Sequence, residues 1–196
     1  MRVLGISGSL RRDSHNSALL RAAAERLPGG VEFVSFDRLA AIPAYDGDLD
    51  EGVEAPAAVA DLRKAMREAD AVLVATPEYN SSIPGALKNA FDWASRPAGE
   101  SALMGTPAAV IGASTGMFGA VWAQAETRKV LGALGGRVLE REFPFARAQD
   151  AYADGEVKLT PEQSSALEEI LRELIASAEE AVEARGAAQA AQGAAA

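Results

Sequence analysis

The chain has 196 residues, enough for one domain with a large buried core and too few for two independent ones. Hydrophobic residues make up 48% and charged residues 24%, ordinary values for a globular protein, and no apolar run is long enough for a membrane-spanning helix. The absence of cysteine excludes disulfides, thiolate metal sites and a thiol nucleophile; the single histidine excludes a His-rich metal centre; and a net charge of −9 argues against a basic surface for nucleic acid.

Charge is unevenly spread. Arg2, Arg11, Arg12, Arg21 and Arg26 stand against only Asp13 and Glu25 in the first 26 residues, so an anion has a place to bind. The apolar start MRVLGISGS runs into a Gly-Ser loop and lacks the extended apolar region and cleavage site of a secretory signal. A cytoplasmic location is expected, with neither membrane nor nucleic acid as partner.

In chain order, Val3 to Ile6 reads as a strand and Ser17 to Leu27 as a helix ended by Pro28-Gly29-Gly30. Val31 to Phe36 alternates as a second strand, and a loop rich in Pro, Tyr, Gly and Asp follows from Asp37 to about Gly52. A helix over Ala55 to Ala69 leads into Ala71 to Ala75, an unbroken apolar run that suits a central parallel strand covered on both faces. Pro84 opens a helix with the stripe Leu87, Ala90, Phe91 and Ala94, and Ala108 to Ile111 is a fourth strand. A helix from Phe118 to Leu134 stops at Gly135-Gly136, and Arg137 to Phe143 reads as a fifth strand.

The last helix has a marked start, with an N-cap Thr160, a first-turn Pro161 and a capping-box Gln163. Its apolar face is Leu167, Ile170, Leu171, Leu174, Ile175, Ala178 and Val182. Residues 1–185 thus form one domain, and the low-complexity segment 186–196, rich in Ala, Gln and Gly, is expected to be a frayed or disordered tail. Five strands alternating with helices specify an α/β domain with helices on both faces of a parallel sheet, and five favour the order 2-1-3-4-5. Ligands bind such sheets beyond the carboxyl ends of the strands, where the loops after strands one, three and four converge.

The first of these loops, Gly8 to Ser17, sets hydroxyls and cations at a helix start, whose free N–H groups and partial positive charge attract phosphate. It has neither the nucleoside-triphosphate loop spacing nor G-x-G-x-x-G. Ser14 and Asn16 also read as ordinary helix caps, the arginines as a solvated face, and His15 as a bystander or backbone contact. After strand three, Thr76 to Asn89 holds two prolines and presents free amides beside Tyr79, a wall for a planar heterocycle or a plain connection. The third loop, Gly112 to Gly119, is a close-approach loop for a ligand or a flexible turn.

GSLRRDSHNSALL, followed by PEYNSSIPGALKNAFDW and then GASTGMFG, resembles the NADPH-dependent FMN reductase family of flavodoxin-like quinone, chromate and azo-dye reductases, over roughly Arg2 to Leu134. The resemblance implies a flavodoxin-like three-layer fold with FMN as cofactor and NADPH or NADH as co-substrate. Hydride would pass from nicotinamide to FMN and on to a quinone, chromate, azo compound or free flavin, a small-molecule acceptor. Ser9, Arg11, Ser14, Asn16 and Ser17, with the amide of His15, would hold the FMN phosphate. Pro77, Glu78, Tyr79 and Asn80 would line the isoalloxazine, largely through main chain, and Ser114, Thr115 and Gly116 would close the other side.

With the flavin carrying the chemistry, no catalytic side chain and no metal are implied. The segment Ile42 to Leu49 is similar to the family's second-strand loop, which approaches a neighbouring subunit's flavin, and a homodimer or homotetramer is implied. Trp93, Phe118 and Trp122 are then interface aromatics or core residues. Phe143 to Ala148 departs from the Asn-Gln-Pro-like segment the family often carries after strand five. The alternative reading is a flavodoxin-type electron carrier that does not oxidise nicotinamide.

Overall fold

The computed structural model describes residues 1–50 and 55–194. Five parallel strands, β1 (Arg2–Ser7), β2 (Glu32–Phe36), β3 (Ala71–Thr76), β4 (Pro107–Ala113) and β5 (Arg137–Val138), lie in the order β2-β1-β3-β4-β5. A further short strand, β6 (Pro144–Phe145), pairs in parallel with the end of β4 through Gly112↔Pro144 and Ala113↔Phe145. β3 and β4 are buried along their whole length, which is why their sequences are apolar runs rather than alternations.

The helices are α1 (His15–Ala24), α2 (Gly47–Asp50), α3 (Ala57–Glu68), α4 (Gly85–Ala94), α5 (Val121–Ala133) and α6 (Pro161–Ala194). Side chains alternate across the sheet, so two cores form. Leu4, Ile6, Val72, Val74 and Val110 pack with Leu62 and Met66 of α3, Leu87 and Phe91 of α4, and Leu131 of α5. On the opposite face Val3, Leu73 and Ile111 pack with Leu19 and Leu20 of α1 and Leu167, Leu171 and Leu174 of α6. Helix, sheet and helix make three layers, and the carboxyl ends of β1, β3 and β4 open together on one edge.

Four expectations change. The fifth strand divides into β5 and β6 because Glu140, Arg141 and Glu142 are all exposed and leave the sheet. The fully buried Gln124 of α5 then serves as the ladder partner at Phe143, its Oε1 accepting from Phe143 N at 3.0 Å and its Nε2 donating to Phe143 O at 3.2 Å. The tail is helical over its described residues, since α6 runs on to Ala194. Alanine is the best helix former, and extending an existing helix needs no new nucleus. Val182 is 42% exposed and the buried position beside it is Ala181. Finally, α1 starts at His15, two residues early, because Ser14 caps it by accepting from Ser17 N.

The predicted loop after β2 extends to about Gly52, and its last two residues lie outside the described ones. Up to Asp50 it is fastened to α3 and α4. The Asp50 carboxylate accepts from Arg63 Nη2 at 2.6 Å and from Arg96 Nε at 3.0 Å, and these guanidinium groups hold it below the usual carboxylate range. Trp93 is fully buried, donating from Nε1 to Pro43 O at 2.9 Å, so of its two sequence readings it takes the core. The hairpin of β7 (Tyr152–Ala153) and β8 (Glu156–Val157) has no counterpart in the sequence reading, and it packs on α1.

Candidate active site

The β1–α1 loop is built from local hydrogen bonds. Gly8 N donates to Ala75 O at 2.8 Å, which carries the β1–β3 ladder one residue past the strand. A Cβ on Gly8 would lie 2.9 Å from Leu87 Cδ2 and 3.1 Å from Pro77 Cδ, so the missing side chain is what lets the first and third-strand loops approach. Ser17 Oγ donates to Ser7 Oγ at 2.9 Å, and the buried Asn16 ties the loop to the end of β4 with two bonds of 2.9 Å, Nδ2 to Ala113 O and Ala113 N to Oδ1.

This arrangement uses up the Asn16 side chain and leaves its main-chain N–H. Among the described residues the amides of His15 and Asn16 have no hydrogen-bond partner in the chain, the first turn of α1 carries no acid, and the Arg11 guanidinium has no carboxylate partner. Free amides at a helix start, the Ser9 and Ser14 hydroxyls and one cation make a donor set that suits a phosphate dianion. His15 lies edge-on to Tyr152 with ring centroids 4.8 Å apart, and burial first, then the Arg11 charge, pushes its pKa below the ordinary value.

The β3–α4 loop is organised differently. Asn80 and Ser81 both have left-handed backbone, with φ of 54° and 59°, and Tyr79 and Ser82 exchange two main-chain hydrogen bonds of 3.1 and 3.2 Å across them. That is a tight turn of the type glycine usually occupies, made here by an asparagine and a serine. It satisfies Tyr79 within the loop and leaves the amides of Glu78, Asn80 and Ser81 without partners in the chain among the described residues.

Two carboxylates of distant origin hold this loop against α5. Glu78 Oε2 accepts from Trp122 N at 3.1 Å and Ala123 N at 3.2 Å, standing in for the side-chain cap that Ala120 does not provide. Glu126 Oε2 accepts from Ile83 N at 3.2 Å and from the Ser82 hydroxyl, and these donors keep its pKa below the ordinary range. Neither role follows from spacing: each joins residues more than forty positions apart. The signal available was the absence of a capping side chain at the start of α5.

The β4–α5 loop is fastened to the strand-five segment. Ser114 N donates to Phe145 O, Ala148 N to Ser114 O, and Arg147 N to Gly116 O, each at 3.0 Å. The residues Phe143 to Ala148 that depart from the family pattern therefore brace this loop through main chain, with Arg147 itself in left-handed conformation at φ 48°.

Ten of the thirteen expected residues line one cleft: Ser9, Arg11, Ser14, His15, Asn16, Pro77, Glu78, Tyr79, Ser114 and Thr115, with Ala113 at its floor. Ser17, Asn80 and Gly116 stand outside it. Ser17 points back to Ser7, Asn80 is at the exposed tip of the turn, and Gly116 bonds to Arg147. No group of three or more His, Cys, Asp or Glu side chains is arranged to hold a metal among the described residues. No described helix is long and apolar enough to cross a membrane.

A three-layer α/β domain with a phosphate-type donor set at the β1–α1 loop and a wall of free amides on the β3–α4 loop defines a flavodoxin-like oxidoreductase. The chain belongs to the NADPH-dependent FMN reductase family, whose model matches residues 1–150. It is 46% identical over 153 residues to the NAD(P)H-dependent FMN reductase PA1204 of Pseudomonas aeruginosa, covering 78% of this chain and 81% of that one. It is 36% identical over 141 residues to a quinone reductase of Escherichia coli, covering 72% and 74%. Among solved structures it is similar to the NAD(P)H:acceptor oxidoreductase FerB of Paracoccus denitrificans, with TM-score 0.79 and 37% identity over 91% of this chain and 97% of that one.

Proposed function

We propose that this chain is an NAD(P)H-dependent reductase whose FMN phosphate sits at the β1–α1 loop and whose acceptor is a quinone or another small oxidant. The observation that carries the reading is the unpartnered donor set of Arg11 and the His15 and Asn16 amides, in one cleft with Pro77, Glu78 and Tyr79 of the β3–α4 loop. FMN held there would supply the hydride-accepting and electron-donating chemistry between nicotinamide and acceptor. The chain's own residues orient it. Arg11, Ser9 and Ser14 fix the phosphate end, the free amide of Glu78 offers a hydrogen bond to the polar ring edge, and Ser114 and Thr115 close the opposite side.

Support for a quinone comes from the relatives, which include a quinone reductase and a 2-hydroxy-1,4-benzoquinone reductase of a Burkholderia species at 42% identity over 130 residues. Self-association as a homodimer or homotetramer is part of the same reading. Met117, Phe118 and Trp122 are 70%, 58% and 46% exposed, and the two rings meet edge-on at 5.0 Å, an apolar surface suited to a second copy. A cytoplasmic site of action fits the absence of cysteine.

Purified protein tests the reading directly. A yellow preparation, or a colourless one that FMN restores, that oxidises NADPH or NADH with a quinone is expected. Flavin-loaded protein that leaves both nicotinamides untouched would contradict it and point to an electron carrier. Sedimentation at micromolar concentration is expected to show a dimer or tetramer, and a monomer would remove the assembly from the account.

A further inference from the structure

The β3–α4 turn is a high-energy arrangement. Left-handed backbone is unfavourable for most residues other than glycine, less so for asparagine, and two non-glycine residues stand in succession there at Asn80 and Ser81. The mutual bonds of Tyr79 and Ser82 close the turn without fixing where it lies relative to the cleft. Placement comes from α5. Glu78 holds the near side of the turn through Trp122 N and Ala123 N, and Glu126 holds the far side through the Ser82 hydroxyl and Ile83 N.

We propose that Glu126 is a positioning residue for the flavin-ring end of the site: its carboxylate anchors Ser82 and Ile83 so that Glu78 and Tyr79, on the cleft side of the turn, are held at fixed depth. The proposal rests on the FMN reading above. Glu126 is exposed and outside the cleft lining, so it acts through the turn. Its acceptor role needs an oxygen at that reach more than it needs a charge, and glutamine has one.

Two probes separate the ends of the site, since riboflavin carries the ring and ribityl chain of FMN without the phosphate. Glu126→Ala is expected to weaken riboflavin and FMN by a similar factor, about tenfold, as lost ring-edge hydrogen bonds require. The visible flavin absorbance should shift with it, Glu126→Gln should restore most of the affinity, and Ser82→Ala should reproduce part of the loss. Equal binding of both flavins by Glu126→Ala and the natural chain, or loss for FMN alone, would overturn the proposal.

Hydrogen exchange on flavin-free protein judges the anchor independently. The Ile83 amide should lose protection in Glu126→Ala, while unchanged protection would overturn the anchor even if flavin binding fell. A natural chain that binds neither flavin would instead remove the FMN reading, leaving the exchange result to stand for the turn alone.

Discussion

Two loops at one sheet edge reach a similar end by opposite means. The β1–α1 loop is assembled mostly from near neighbours, with Ser14 capping α1 and Ser17 returning to Ser7, and its one distant side-chain link is Asn16 to Ala113, beside the main-chain bond of Gly8 to Ala75. The β3–α4 loop adopts a left-handed turn that asparagine tolerates and serine does not favour, and carboxylates make its links to α5. A locally built loop can wait for its ligand with a preset donor array. A loop placed by remote contacts depends on the helix that holds it, so damage to α5 should be felt at the ring end of the site and not at the phosphate end.

The largest effect that would break this contrast lies in the first loop's distant side-chain link. Asn16→Ala leaves the buried Ala113 N–H and C=O unpaired, and a loss of roughly 3 kcal/mol in denaturant unfolding is expected, with FMN binding lost alongside. Arg11→Ala, in contrast, should leave unfolding unchanged and weaken FMN by about tenfold or more, the worth of a charge-assisted hydrogen bond, in a flavin-fluorescence titration. Unchanged flavin content in the purified variant would remove the phosphate role from Arg11.

Glu78→Ala should cost about 1 kcal/mol through the lost cap on α5 and reduce riboflavin and FMN binding together. A smaller effect depends on pH. Glu126 has a folded pKa below its ordinary 4.5, so its contribution to stability is complete above that value and is lost as pH falls through the lower folded one. Stability of the natural chain is therefore expected to fall more steeply below about pH 4.5 than that of Glu126→Gln, measured by urea unfolding at stepped pH.

The same contrast explains what was legible in the sequence. Apolar runs at β3 and β4, the Thr160–Gln163 capping box and the hydroxyl-rich first loop are local patterns with local causes. The box forms as read, with Thr160 N donating to Gln163 Oε1 at 2.9 Å and Gln163 N to Thr160 Oγ1 at 3.2 Å. The Glu78 and Glu126 anchors, the insertion of Gln124 into the strand-five ladder and the burial of Trp93 beneath the second-strand loop depend on which segments the fold brings together. A glutamate in an amphipathic helix looks the same in sequence whether it meets water or a loop amide. The helical tail up to Ala194 is hidden in the sequence for another reason, since lack of an apolar stripe says where a helix packs and not whether alanine continues one already begun.

His15 is the only histidine in the chain and sits at the amino end of α1, so its proton resonances report on the phosphate seat without assignment of any other. Burial and Arg11 lower its pKa in the free protein. A phosphate dianion at the helix start opposes both influences. In an NMR titration, saturating FMN should raise the His15 pKa, while riboflavin, bound at the ring end alone, should leave it where it was. An equal response to both flavins, or none to FMN in protein that has bound it, would contradict the placement of the phosphate at the β1–α1 loop.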